Sequence, residues 1–113
     1  MNITVESYGH AVLLNVKGEL TEDSLSVFQK EVDRQLGGKD VVDVVLNMES
    51  VPFIDSTALE YLLDLQDKLE QKFGQVKLTK VDQHIRKILE VTRLVSQFEV
   101  YNDVSEAVKA TQA

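Results

Sequence analysis

The residues best placed to do chemistry in this 113-residue chain are Asp55, Ser56 and Thr57. They stand in the stretch V-P-F-I-D-S-T-A-L-E, from Val51 to Glu60, between an apolar strand-like run and a long amphipathic helix pattern. This order predicts a strand-to-helix junction that presents a hydroxyl at the start of a helix. A hydroxyl there can cap the helix, attack a substrate or accept a phosphate.

Nucleophilic chemistry finds little support. A nucleophile elbow needs small residues two before and two after the serine so that its turn can be tight. Here those positions hold Ile54 and Ala58, and no G-x-S-x-G occurs in the chain. The two histidines are His10, in a predicted hairpin, and His84, near the start of a predicted helix, and no spacing ties either to Ser56. Two scattered histidines, no cysteine and no D-x-D-x-D-G run offer no metal-ligand cluster. Gly37-Gly38 follows a helix pattern instead of preceding one, so it reads as a helix stop and not a phosphate loop. Capping is better supported. Thr57-x-x-Glu60 matches a capping box, in which the hydroxyl accepts a backbone N–H and the glutamate reaches back. Asp55 and Ser56 are equally able to cap, and the residue types do not choose among the three.

The elements that must hold this junction follow from periodicity. Ile3 and Val5 alternate with Thr4 and Glu6, the pattern of a half-buried strand. Gly9-His10 suits the two central residues of a type II′ hairpin turn. Ala11 to Val16 is apolar enough for a strand covered on both faces, closed by Gly18. Thr21, Glu22, Asp23 and Ser24 gather caps and acids before a helix whose stripe is Leu25, Phe28, Val32 and Leu36. Val41 to Met48 reads as the central strand. A second helix follows with Ala58, Leu62, Leu65, Leu69 and Phe73 on one face and Gly74 as its stop. Val76 and Leu78 alternate with polar residues in a short strand. Asp82 caps a third helix with Ile85, Ile88 and Leu89 inward. Phe98 and Val100 mark a last strand, and Asp103 with Glu106 starts a final helix through Val104, Ala107 and Val108, its end T-Q-A expected to fray. The order β-β-α-β-α-β-α-β-α predicts an α/β fold, a mixed sheet that is mainly parallel after an N-terminal hairpin.

Length fits one domain, residues 1–113, with enough chain for a real core. Twelve basic against 19 acidic residues give a net charge of −7, which disfavours nucleic acid and anionic lipid as direct partners. No apolar run approaches the ~20 residues of a membrane helix, and the start M-N-I-T-V-E lacks a signal pattern. The absence of cysteine suits a reducing compartment. A cytoplasmic protein is the expectation.

The chain resembles a stand-alone STAS domain of the anti-sigma-factor antagonist family, found in bacterial partner-switching systems. The resemblance rests on Gly18-Glu19-Leu20, on Val45-Leu46-Asn47, on Arg86 to Leu94 and above all on Phe53-Ile54-Asp55-Ser56-Thr57-Ala58-Leu59, within the same element order. It implies that Ser56 is the phosphoacceptor of an anti-sigma factor with serine-kinase activity that uses ATP. The unphosphorylated antagonist binds that kinase and frees its other partner, and a serine phosphatase restores the serine. It implies further that Asp55, Thr57, Ala58, Leu59, Glu60, Glu19 and Thr21 belong to the phosphosite loop and the docking region around it. The sequence does not fix the oligomeric state, and a monomer with no catalytic residues, no metal and no cofactor is the plain expectation. Three positions depart from the family pattern: Ala58 and Glu60 where glycine is usual, and Thr21 where aspartate is common. These bear on partner choice more than on fold. A second expectation within the same fold is a scaffold subunit bound to a transporter ATPase, with Ser56 as cap and contact residue.

A phosphate on Ser56 would bring about −1.5 to −2 charges. The helix dipole would favour it by roughly 0.3–1 kcal/mol, and repulsion from Asp55 would oppose it by about 1 kcal/mol. The two nearly cancel, so the fold should tolerate the group. At a docking surface the same charge can cost several kcal/mol, and about 2.7 kcal/mol already lowers affinity a hundredfold.

Overall fold

The structure is a computed structural model that describes residues 1–37 and 40–112. In chain order the elements are β1 (Asn2–Tyr8), β2 (Ala11–Lys17), α1 (Leu25–Leu36), β3 (Asp43–Ser50), α2 (Ser56–Glu70), β4 (Val76–Thr79), α3 (Gln83–Val91), a 3-10 turn (Val95–Gln97), β5 (Glu99–Tyr101) and α4 (Val104–Gln112). The five strands form one sheet in the order β1-β2-β3-β4-β5. β1 runs antiparallel to β2, and the pairs from β2 to β5 are parallel. The fold class and the β-β-α-β-α-β-α-β-α order read from the sequence are both present.

Alternation along the strands divides the core. Val12, Leu14 and Val16 of β2 and Val44, Leu46 and Met48 of β3 face a large cluster with Phe28, Val32, Leu62, Leu69, Ile85 and Leu89 from α1, α2 and α3. Leu13 and Val45 face the other way and meet Ala107 of α4. The central strands are therefore covered on both faces, which is why their sequences lack polar alternation. Full burial of Phe28 or Leu62 stabilises by roughly 1.5–3 kcal/mol each. β1 has helical cover on one face only, and its residues alternate between exposed and half-buried up to Val5. The hairpin turn has Gly9 at φ 65°, with Tyr8 paired to Ala11, which is the backbone the type II′ reading requires at its first central residue.

Several local expectations need correction. Phe73 does not continue the buried stripe of α2: the helix ends at Glu70, and Phe73 lies 97% exposed at φ 64°. Its N–H donates to Glu70 O (3.0 Å) and that of Gly74 to Leu69 O (2.8 Å), closing the helix with Phe73 in the left-handed position glycine usually takes. Gly74 must be glycine for a different reason, since a Cβ there would lie 1.7 Å from Val42 O. Ser24 does not cap α1 with its side chain. Lys77 and Thr79 are buried, not solvent-facing. The Lys77 ammonium pairs with Glu99 at 2.6 Å and lies 5.9 Å from the Tyr101 ring, and the Thr79 hydroxyl donates to Leu46 O. The C-terminal segment is helical to Gln112, whose side-chain amide donates to Tyr8 O at 3.0 Å, so Thr111 and Gln112 are anchored, while the Ala113 part of that expectation lies outside the described residues. β3 begins at Asp43, two residues later than the apolar run suggested. Gly37 does close α1, while the Gly38 part of that stop lies outside the described residues.

Candidate functional site

The junction sits where the ends of β2 and β3 are drawn together beyond the regular sheet. Gly18 N–H donates to Ser50 O (3.0 Å), Leu20 N–H to Phe53 O (3.0 Å) and Asp55 N–H to Leu20 O (3.1 Å), with Leu20 and Ile54 forming an isolated parallel bridge. Gly18, at φ 123°, supplies a backbone turn that L-residues rarely adopt. Leu20 and Ile54 are buried, so their side chains pin the paired loops to the core from beneath. Ser24 shapes the first loop further: its hydroxyl donates to Glu19 O (2.7 Å) and accepts Thr21 N–H (3.0 Å).

Asp55 joins the two loops. One carboxylate oxygen accepts Ala58 N–H at 2.9 Å, which caps α2, and the other accepts Glu22 N–H at 2.8 Å from the facing loop. The N–H groups of Ala58 and Glu22 hold this carboxyl below the ordinary aspartate range. The choice that residue types left open among Asp55, Ser56 and Thr57 is thus settled in favour of Asp55. The Thr57-x-x-Glu60 box does not set the helix start, because α2 begins one residue before Thr57.

Capping by Asp55 leaves Ser56 at the first helical position, exposed, with no hydrogen bond engaging its hydroxyl among the described residues. Thr57, next along α2, and Thr21 in the first loop are half-buried. Glu60, one turn further along α2, and Glu19 in the first loop are exposed, as are Glu22 and Asp23. Phe53 is 45% exposed on the second loop. Ala58 and Leu59, by contrast, are buried at 0% and 6% exposure and belong to the core. They position the helix that carries Ser56 and offer a partner no surface. The family resemblance placed all of them in one docking loop, although the stripe of Ala58, Leu62, Leu65 and Leu69 already set Ala58 on the inward face of α2. Glu22 and Phe53 were missed as parts of the site. The apolar character of Phe53 masks its exposure, and the role of Glu22 depends on a backbone contact 33 residues away.

Chemically, the site presents an exposed hydroxyl next to the Asp55 carboxylate, with Glu60 one turn along α2 and Glu22 on the loop that Asp55 binds. His10 pairs with Asp43 at 3.2 Å, at the opposite end of β3, and the length of that strand alone separates it from the site by about 23 Å. His84 is exposed in the first turn of α3. Among the described residues no group of histidine, cysteine, aspartate and glutamate is arranged to hold a metal ion. No helix among them is long and apolar enough to cross a membrane.

Known proteins share this architecture. A family model described as the STAS domain matches residues 2–107. The chain is 21% identical over 105 residues to an anti-sigma F factor antagonist of Paenibacillus polymyxa, covering 91% of this chain and 90% of that one. A Thermotoga maritima structure described as a candidate anti-sigma factor antagonist superposes with a TM-score of 0.89 at 21% identity, over 98% of this chain and 95% of the other. The Bacillus cell-fate determinant SpoIIAA in its phosphorylated form superposes with a TM-score of 0.74 at 19% identity, over 97% and 99%.

Proposed function

The chain belongs to the STAS-domain family, and from that premise we propose that it acts as a phosphorylation-switched anti-sigma-factor antagonist in the cytoplasm. In this reading it is a binding module and the substrate of another enzyme, not an enzyme itself. Unphosphorylated, it docks on an anti-sigma factor with serine-kinase activity and releases that protein's target. Phosphate on Ser56, added from ATP by the kinase and removed by a serine phosphatase, ends the docking.

One observation carries the reading: Ser56 is exposed at the start of α2 while its neighbour Asp55 holds the platform beneath it. The acceptor and the structural residue are different side chains. A kinase can therefore modify Ser56 without breaking the cap that holds α2 to the β2–α1 loop. The added charge falls next to Asp55, one helical turn from Glu60 and across from the loop of Glu22 that Asp55 binds, where it adds to acidic neighbours. A partner that matches the unmodified site must then bury or oppose about two further charges, a penalty on the order of several kcal/mol. The existence of an antagonist structure in a phosphorylated form supports this assignment for the fold family.

The test uses the purified protein with its host's anti-sigma kinase and ATP. Intact mass and peptide mapping are expected to place one phosphate on Ser56. Ser56→Ala should bind the kinase constitutively, and Ser56→Asp at least tenfold more weakly. Absence of phosphate, together with equal binding by Ser56→Ala and Ser56→Asp, would overturn the switch and favour the scaffold alternative, in which the same surface docks a transporter ATPase permanently.

A further inference from the structure

The outer edge of β1 is the one long strand edge that the fold leaves open on the hairpin side of the sheet. β1 has seven residues, contains no proline and pairs with β2 in unbroken register from Asn2 to Tyr8. Natural edges of this length are usually guarded by a bulge, a proline or a charge that points across the edge. The single charge here is Glu6, and it is tied down: its carboxylate accepts Asn15 Nδ2 at 3.0 Å and the Tyr8 hydroxyl at 3.2 Å. Within β1 no bulge, proline or free charge guards the edge, while Lys30, Glu31 and Arg34 of α1 line the cleft beside Ile3.

Its hydrogen-bonding phase follows from the hairpin. A two-residue turn closes on a hydrogen-bonded pair, here Tyr8 and Ala11, and antiparallel ladders alternate from there. The N–H and C=O groups of Tyr8, Glu6, Thr4 and Asn2 therefore point to β2. Those of Ser7, Val5 and Ile3 point outward. Two surface clefts share β1 as a wall, one of about 560 Å³ on the sheet face that carries Thr4, Asn15 and Asn47, the other of about 240 Å³ between Ile3 and the Val27–Arg34 side of α1.

We propose that this edge is a self-association surface, on which the β1 strand of a second copy adds antiparallel about a two-fold axis through Val5. The sequence of β1 is self-complementary in that register. Val5 opposes the partner's Val5, Ile3 opposes the partner's Ser7, and Thr4 opposes the partner's Glu6. All three outward residues form hydrogen-bonded pairs. The two-fold axis stands perpendicular to the sheet, so each face is kept: the Ile3 and Val5 side continues the apolar face, and the Asn2, Thr4 and Glu6 side continues the polar one. Glu6 stands directly opposite threonine, the two Glu6 side chains are diagonal neighbours about 7–8 Å apart, and the first cleft on that face carries both Lys17 and Glu49. At the second cleft the partner's Ser7 is a small side chain beside Val27, which is 48% exposed in the single chain. This is strand addition, with main-chain bonds giving affinity and alternate side chains giving register. It involves none of the groups that hold Asp55, so it stands apart from the Ser56 reading.

Sedimentation velocity over a concentration series tests it. The wild-type protein is expected to shift from monomer to dimer as concentration rises. Ser7→Pro removes one outward N–H from an exposed position and leaves the β1–β2 ladder intact, so it should remain monomeric with an unchanged circular dichroism melt. Thr4→Glu places like charges opposite the partner's Glu6 twice per dimer and should weaken association by about fivefold to tenfold. Thr4→Lys should strengthen it by a similar factor. A wild-type chain that stays monomeric at several hundred micromolar would overturn the proposal and leave the edge to a strand from a different partner. A dimer indifferent to all three substitutions would overturn it as well, because the contact would then lie elsewhere.

Discussion

Asp55 binds Glu22 across 33 residues of sequence: its Oδ2 accepts the Glu22 backbone N–H at 2.8 Å, while its Oδ1 caps α2 on Ala58. A single side chain thereby fixes the helix start and the loop that faces it. Replacing Asp55 with alanine frees both N–H groups. Loss of such a cap commonly lowers the thermal midpoint of a domain this size by about 5 °C, and loosening of the Glu19–Ser24 loop should add to it. Asp55→Asn can keep one of the two bonds through its amide oxygen, so its loss should be smaller. Thermal melts of the two variants against wild type check the order.

The same carboxyl makes an acid-side prediction. Its pKa is depressed in the folded protein by the Ala58 and Glu22 N–H groups, and that of Glu99 is depressed first by its hydrogen bond from Lys77. A depressed carboxyl contributes stability that is fully present above its unfolded value, near 4, and that is lost as pH falls through the folded value. The stability gap between wild type and Asp55→Asn should therefore be constant from pH 7 to about 5 and should close as pH drops towards 2. Urea midpoints measured across that range test it. A gap that widened on acidification would contradict the assignment.

Two helix ends contain residues that their backbone does not favour. Phe73 and Arg93 stand at φ 64° and 61°, each closing a helix by the same pair of bonds, Gly74 to Leu69 and Leu94 to Leu89 being the longer-range members. A left-handed residue other than glycine costs roughly 1–2 kcal/mol, part of which glycine returns through greater freedom in the unfolded chain. Arg93→Gly and Phe73→Gly should each stabilise by about 0.5–1 kcal/mol in urea titrations. Gly74→Ala should do the opposite, because its Cβ would overlap Val42 O and force β3 and the α2–β4 loop apart.

Much of this was legible from residue order. The two strands buried on both faces, the stripes Leu25–Phe28–Val32–Leu36 and Leu62–Leu65–Leu69, and the Asp82 cap all follow from local chemistry, and each is present. What escaped depends on contacts distant in sequence. The fate of Phe73 turned on where α2 stops, which Gly74 decides through Val42. Lys77 reads as a surface residue until Glu99 and Tyr101 arrive from β5 beside it. Thr111 and Gln112 look like a loose end because the carbonyl that anchors Gln112 belongs to Tyr8. At the site, Asp55, Ser56 and Thr57 were equivalent caps by residue type until Asp55 accepted both the Ala58 and the distant Glu22 N–H. The inward face of Ala58 was legible from the Leu62, Leu65 and Leu69 stripe, and with Asp55 as the cap Ser56 is left exposed.

The inward direction of Ala58 leads to a last prediction. Ala58 carries a methyl group at 0% exposure, packed in the main core, on the residue whose N–H the Asp55 cap requires. Ala58→Gly would remove that methyl. Glycine inside a helix costs roughly 0.5–1 kcal/mol relative to alanine, and the lost burial adds about as much again. The variant should therefore be less stable by about 1–2 kcal/mol in a urea titration. A partner approaching Ser56 meets the same surface in both proteins, because the methyl is covered. Binding of the kinase partner, measured below the onset of unfolding, should stay within about twofold of wild type. A loss of affinity larger than that, with α2 still folded by circular dichroism, would show that the backbone beneath Ala58 is itself part of the docking surface.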